Sequence, residues 1–121
     1  MELSRYTSHL RTETFGAGDT IVAEGDPGAA MYVVVDGEVD VVYGEGRTVR
    51  LGAGESFGEM SLIDKRPRSA TVTACSDVTL ARINQAAFLV LVQDTPYFAL
   101  EIMRSLSDRL RRANQMPADG D

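Results

Sequence analysis

Side chains that can bind a phosphate and a sugar lie close together in residues 57–71, which read FGEMSLIDKRPRSAT. Arg68 carries a planar, permanently charged guanidinium that can hold a phosphate through two parallel hydrogen bonds. The carboxylate of Glu59 does not bind phosphate, but it accepts hydrogen bonds from sugar hydroxyls. Gly58 lets the backbone approach a ligand, and a helical turn after it would offer free N–H groups to an anion. The stretch therefore predicts a site for a nucleotide or a sugar phosphate.

The loop that carries the arginine is stiffened by Pro67, and Ser69 adds a short hydroxyl. Two structural alternatives remain open for the same residues. Glu59 and Arg68 could pair with each other and only hold the shape of the loop. The basic run KRPR, residues 65–68, could also be solvated surface charge.

Composition restricts the classes of function. The chain has 121 residues and a net charge of −6, so we expect one domain over residues 1–115 and no direct contact with nucleic acid. The longest apolar run, residues 29–35, is too short to span a membrane. A single cysteine favours a reducing compartment, and we expect a cytoplasmic protein. The last residues, 116–121, read MPADGD and are expected to be disordered.

Catalysis and metal binding are disfavoured because the chain lacks the residues they need. His9 is the only histidine, so neither a Ser-His-acid triad nor a histidine-rich metal site of the cupin type is expected. Cys75 is interpreted as a small buried residue in a strand. The acidic residues show no metal-loop spacing. We expect no enzymatic activity, no metal and no cofactor.

The elements that must position these groups are mainly strands. Ten of the eleven glycines lie within residues 16–58, in turn-like sequences that separate short β-branched runs. This pattern indicates a β-sandwich or a small barrel. The predicted strands are TIVA, MYVVV, EVDVVY, RTVRL, SATVTA and VTLARI, of which EVDVVY and TVRL flank GEG as a hairpin.

Helices are predicted at the end of the chain. Asn84 is suited to cap a helix through AAFLVLV, and Pro96 is suited to the first turn of the next helix. An apolar stripe follows at three- and four-residue spacing, formed by Phe98, Ile102, Leu106, Leu110 and Ala113. The stripe could pack on the sheets or form a two-helix dimer contact. A short helix is also expected within residues 3–10.

Residues 57–71 closely resemble the phosphate-binding cassette of cyclic nucleotide-binding domains, the sensor modules of catabolite-activator-type regulators, protein kinase A regulatory subunits and cyclic nucleotide-gated channels. The matching positions are Phe57, Gly58, Glu59, Leu62, Ile63, Pro67, Arg68, Ser69, Ala70 and Thr71. The similarity extends roughly over residues 14–114. It implies a mainly β fold, an eight-stranded jelly-roll β-barrel with a short cassette helix and C-terminal helices of the family's B and C type.

The resemblance also implies roles for individual residues. Arg68 would pair with the exocyclic phosphate oxygens, and Glu59 would accept from the ribose 2′-OH. Serine at position 69 favours cAMP over cGMP, since threonine there often accompanies cGMP. The full set of implied ligand-binding residues is Val41, Leu51, Phe57, Gly58, Glu59, Met60, Ser61, Arg68, Ser69, Ala70, Leu110, Ala113 and Asn114.

In that set, the strand residues Val41 and Leu51 would form apolar walls against the base, and the end of the last helix would close over the base as a lid. The sequence contains no helix-turn-helix after residue 114, so the expected output is a protein partner, a fused domain or a homodimer through the last helix. The alternative is a module of the same fold that binds no ligand and serves only as an interaction surface.

Overall fold

Within the residues that the computed structural model describes, 3–115, eight short strands form two four-stranded antiparallel sheets. The first sheet has the order β1 (Thr12–Phe15), β8 (Val78–Asn84), β3 (Ala30–Asp36), β6 (Ser56–Phe57). The second has the order β2 (Thr20–Val22), β7 (Ala70–Ala74), β4 (Val39–Tyr43), β5 (Thr48–Leu51).

The mainly β fold is confirmed, but the closed barrel is not. Throughout residues 3–115 the ladders connect strands within each sheet and none runs between the sheets. The edge strand β6 contains only two residues and pairs with β3 alone, so it is too short to carry the hydrogen bonding onward. The predicted hairpin is present, because β4 pairs with β5 from Val39 opposite Leu51 to Val42 opposite Thr48.

Strand β3 explains how the two sheets and the helices share one core. Its residues 30–34 are all buried. Side chains alternate between the faces of a strand: Tyr32 and Val34 enter the cluster between the sheets, whereas Met31 and Val33 enter a second cluster under the helices. A continuous apolar run is therefore required here, because both faces of the strand are covered.

Three α-helices follow from local features of the sequence within the described part of the chain: α1 (Glu59–Asp64), α2 (Gln85–Asp94) and α3 (Pro96–Gln115). The side chain of Asn84 caps α2 by accepting from the Ala87 N–H at 2.9 Å, as predicted. Pro96 is the first residue of α3, where its missing N–H costs nothing.

Helix α3 is anchored by its first half only. Phe98 and Ile102 are buried in the second cluster and Leu106 is half-buried. Tyr6 packs edge-to-face on Phe98 with the ring centroids 5.4 Å apart. Leu110 is 63% exposed. The predicted stripe therefore leaves the core before the helix ends, since the second cluster extends along α3 only as far as Leu106. The side chain of Ala113 lies outside the described residues.

Two smaller predictions need correction. The expected helix within residues 3–10 is only a 3-10 turn, Ser4–Tyr6, which the Thr7 N–H closes on the Ser4 carbonyl at 3.0 Å. Cys75 is half-buried and follows β7 directly rather than lying in a strand. The expected disordered tail, 116–121, lies outside the described residues.

None of the helices within residues 3–115 could span a membrane by itself. The bent pair Gln85–Asp94 and Pro96–Arg112, with 114° between its two helices, has the length and the composition of a broken span.

Candidate ligand-binding site

The cassette, residues 57–71, begins where β6 ends and turns at once into α1. Phe57 is buried and stacks on Tyr32 with the ring centroids 5.2 Å apart, which fixes the entry to the turn. Gly58 then adopts a φ of 85°, a left-handed conformation that glycine takes without steric cost. Glu59 follows as the first residue of α1, and its side chain is buried rather than in solvent.

Arg68 is held as a buried cation at the far end of the cassette. Its backbone N–H donates to the Asp26 carbonyl at 2.8 Å, and its carbonyl accepts from the Gly25 N–H at 2.8 Å. The residue is only 8% exposed. Within the described part of the chain, its Nη1 is buried and has no hydrogen-bond partner.

The electrostatic state of Arg68 follows from this burial. Desolvation lowers the pKa of the Arg68 guanidinium, partly opposed by the nearby Tyr32, but arginine stays protonated in proteins at neutral pH. A buried, charged donor without an acceptor is costly unless an anion arrives. The arrangement therefore has the character of an anion site.

Glu59 is buried too, but its carboxylate already has partners. The residue is 3% exposed, and the Ser56 hydroxyl donates to Oε2. Arg109 of α3 places Nη1 at 3.2 Å from Oε1 and 3.3 Å from Oε2. Its Nη2 donates to the Ser56 carbonyl. Glu59 is thus paired with Arg109 of α3 and not with Arg68. The alternative in which Glu59 and Arg68 hold each other is wrong.

The remaining predicted residues of the cassette differ in how far they are exposed to solvent. Ser61 is buried and its hydroxyl donates to the Arg66 carbonyl at 3.1 Å. Ala70 is buried at the start of β7. Met60 and Ser69 are exposed and so remain accessible to a ligand.

The predicted base-facing residues separate into two groups. Val41 and Leu51 lie on the neighbouring strands β4 and β5, each 6% exposed and packed in the core between the sheets. Leu110 is exposed on α3. The side chains of Ala113 and Asn114 fall outside the described residues.

Two residues of the site were missed by sequence reasoning, Ser56 and Arg109. The sequence pattern assigns Arg109 no role in the site, because it lies off the apolar stripe predicted for the last helix. Its contact with Glu59 spans 50 positions in the sequence, and local spacing carries no information on such a pairing.

A family model for the cyclic nucleotide-binding domain matches residues 12–95. The chain belongs to the cyclic nucleotide-binding domain family. Ser56, Glu59 and Arg68 of the site all lie in the matched part, whereas Arg109 lies beyond it on α3.

Relatives of this cyclic nucleotide-binding domain include a transcriptional regulator and a catabolite activator protein. The chain is 30% identical over 122 residues to the CRP-like cAMP-activated global transcriptional regulator of Mycobacterium tuberculosis, an alignment that covers 97% of this chain and 54% of that protein. It resembles the solved catabolite activator protein of Thermus thermophilus with a TM-score of 0.80 and 32% identity, over 93% of this chain and 55% of that one. This cyclic nucleotide-binding domain therefore spans about half the length of these two regulators.

A second similar structure comes from work on a cyclic-GMP-dependent signalling pathway that regulates bacterial phytopathogenesis. The TM-score is 0.77 at 28% identity, over 91% of this chain and 89% of that one. The two relatives above are named for regulation and not for catalysis.

Among the described residues, no cluster of three or more His, Cys, Asp and Glu side chains is placed to hold a metal ion. A cleft of about 570 Å³ lies elsewhere, between the N-terminal turn and α2, lined by residues such as Tyr6, Leu10, Ala87 and Leu91. Its lining within residues 3–115 includes no cassette residue, so we do not assign the nucleotide to it.

Proposed function

We propose that this domain is a regulatory sensor that binds cyclic AMP in preference to cyclic GMP and reports the ligand through α3. The observation that carries the proposal is the Arg68 guanidinium, buried with an Nη1 that lacks a partner in the described chain. A cyclic phosphate supplies the acceptor and the counter-charge that this group needs.

The proposed roles divide the ligand between the two ends of the cassette. Arg68 pairs with the exocyclic phosphate oxygens, supported by N–H groups near Gly58 and by Ser69 and Ala70. Glu59 accepts from the ribose 2′-OH. The base lies towards the exposed end of α3, where Leu110 offers apolar surface, with Val41 and Leu51 behind it.

The proposed lid mechanism rests on the contact between Arg109 and Glu59. In this structure the carboxylate of Glu59 is shared between Ser56 and an arginine of α3. A ribose hydroxyl that uses the same carboxylate changes the partners of Arg109, so ligand binding biases the position of α3. Unchanged α3 contacts in ligand-free and ligand-bound protein would contradict this step.

The preference for cAMP is supported by relatives and by residue type together. The mycobacterial relative is named as cAMP-activated, and position 69 is serine rather than threonine. The structure from a cyclic-GMP-dependent pathway makes cGMP the competing ligand that a test must include.

The proposed output is protein contact rather than catalysis or direct nucleic-acid binding. Met103 and Leu110 are 59% and 63% exposed and lie seven residues apart on α3, so they share one face of the helix. That face suits a protein partner, a fused output domain or a second copy of this chain, since the longer regulators of the family extend well beyond this domain.

Calorimetric titration tests the proposal directly. The protein is freed of carried-over nucleotide and titrated with cAMP, cGMP and, as a control, linear 5′-AMP. We expect saturable one-to-one binding of both cyclic nucleotides, tighter for cAMP, and much weaker binding of the linear nucleotide. Tighter binding of cGMP would overturn the preference alone.

One observation favours a second candidate, an interaction module that binds no ligand. The carboxylate of Glu59 is already satisfied by protein groups, so this half of the cassette is complete without a ribose. A folded, nucleotide-free sample that binds neither cyclic nucleotide would favour this candidate over the sensor.

A further inference from the structure

Gly28, in the loop between β2 and β3, lies directly against the Arg68 side chain. A Cβ atom built on Gly28 would be 2.6 Å from Nε and 2.7 Å from Cζ of Arg68. It would also be 2.7 Å from Oγ of Ser61. These separations are far below ordinary contact distances of about 3.5–4.0 Å, so the guanidinium occupies the space that any side chain at position 28 would need.

The backbone at Gly28 does not itself require glycine. Gly28 is absent from the described glycines with positive φ, which include Gly25, Gly37 and Gly58. An ordinary L-residue is therefore compatible with the conformation of the chain at this point. Glycine is needed at position 28 because the Arg68 side chain occupies the space that a Cβ atom would take.

A second glycine borders the guanidinium in the same way. A Cβ on Gly58 would lie 2.7 Å from Nη1 of Arg68. The ring of Tyr32 forms a third boundary, with Cζ of Arg68 6.0 Å from the ring centroid. The planar group is thus bordered by two glycines and an aromatic ring. A side chain at position 28 would displace the guanidinium, and with it the Nη1 donor that the ligand needs.

We infer that Gly28 is a positioning residue for the ligand: its missing side chain leaves the space that the Arg68 guanidinium needs in order to lie where it can bind a phosphate. The inference rests on the proposed function for its binding consequences, but the placement of Arg68 can be measured without any ligand. Atoms at the end of a flexible side chain can move at little cost, so Gly28→Ala is expected to shift Arg68 and leave the fold intact.

The first measurement uses the ligand-free protein. The Nε–Hε resonance of Arg68, identified by its loss in Arg68→Lys, is followed by NMR in Gly28→Ala and in the control Gly16→Ala. Gly16 has ordinary surroundings, because a Cβ there would lie 3.6 Å from the nearest atom, Oδ2 of Asp19. We expect the resonance to move in Gly28→Ala only, with the thermal unfolding midpoint unchanged in both variants. An unmoved resonance in Gly28→Ala overturns the inference.

The second measurement is a double-mutant cycle on cyclic AMP affinity. Gly28→Ala is expected to weaken binding by between about tenfold and 100-fold, because a displaced guanidinium loses about one hydrogen bond to the charged phosphate. Lysine at position 68 keeps the charge but lacks the planar group that a Cβ would strike. In the Arg68→Lys background the added cost of Gly28→Ala is therefore expected to fall below about twofold. The same fold loss in both backgrounds would contradict the inference.

Ser61 is the competing route, because its hydroxyl also borders the space. Repeating Gly28→Ala in a Ser61→Ala background separates the two. A loss of affinity that persists supports the route through Arg68, and a loss that disappears overturns it. If the unsubstituted protein binds neither cyclic nucleotide, the proposed function fails, and the NMR measurement still decides whether Gly28 positions Arg68.

Discussion

The two ends of the cassette are both buried and both charged, yet they are completed in different ways. Glu59 is paired with Arg109 and accepts from Ser56. Arg68 is bordered by Gly28 and Gly58, and in the described chain its Nη1 has no hydrogen-bond partner. One end satisfies its charge with protein groups, whereas the other keeps a donor available.

The difference separates stability from affinity within a single loop. An unsatisfied buried donor costs free energy in the ligand-free protein and gains it when an acceptor binds. A paired carboxylate stabilises the folded protein without ligand, and it must exchange a protein partner for a ligand hydroxyl before it contributes to affinity. We therefore expect substitutions at the two ends to affect different measurements.

The largest expected effect is on affinity at the Arg68 end. Arg68→Ala should weaken cyclic nucleotide binding by about 2–5 kcal/mol, because a desolvated phosphate loses its counter-charge. The stability of the ligand-free protein should change by less than about 1 kcal/mol, since the substitution also removes an unsatisfied buried donor. Calorimetric titration and urea unfolding measure the two quantities.

Arg66 offers a matched control two residues away. Its side chain is 79% exposed and lies 3.5 Å from Asp64. Arg66→Ala should leave both affinity and stability within about 0.5 kcal/mol. Equal affinity losses in the two variants would mean that the cassette attracts the ligand by charge alone and not through a placed guanidinium.

The next effect is the ribose contact at the Glu59 end. Glu59→Gln should weaken cyclic AMP binding by about 1.5–3 kcal/mol, the usual contribution of a hydrogen bond to a charged group. Binding of the 2′-deoxyribose analogue should weaken much less, because that ligand lacks the hydroxyl that Glu59 accepts from. Losses of the same size for both ligands would remove Glu59 from the ribose site.

The third effect is on stability and concerns α3. Arg109→Ala leaves the Glu59 carboxylate buried with Ser56 as its remaining partner at this site, and should lower the free energy of unfolding by about 1–3 kcal/mol. Arg112, exposed one turn later, is the control and should cost less than about 0.5 kcal/mol. Adding Glu59→Gln to Arg109→Ala should restore part of the loss, and a failure to restore it would show that the pair is not responsible.

Most of the fold was predictable because it depends on short-range pattern. The six predicted strands are present, each rich in apolar or β-branched residues, and the first four of them lie between glycine turns. The strands β1 and β6, which read TETF and SF, were missed. The first carries little apolar pattern, and the second is two residues long, so long-range pairing with β8 and β3 defines them as strands.

The site was predictable to the extent that it is local. Residues 57–71 place Gly58, Glu59 and Arg68 in one contiguous cassette, and the resemblance identifies them. Arg109 and Gly28 were not recognised as parts of the site, because each reaches it across the fold. Their roles depend on where α3 and the β2–β3 loop pack, which spacing along the chain does not encode.

The smallest expected effect concerns whether the Ser69 hydroxyl contacts the phosphate or the base of the ligand. The residue is exposed next to Arg68, so its hydroxyl can either contact the phosphate or reach the amino group of a guanine. If it reads the base, Ser69→Ala should weaken cGMP binding by about 1 kcal/mol, the usual net contribution of one hydrogen bond, and leave cAMP binding nearly unchanged. Competition titration with both nucleotides measures the difference. Equal losses would instead assign the hydroxyl to the phosphate that the two ligands share, and the selectivity would have to come from α3.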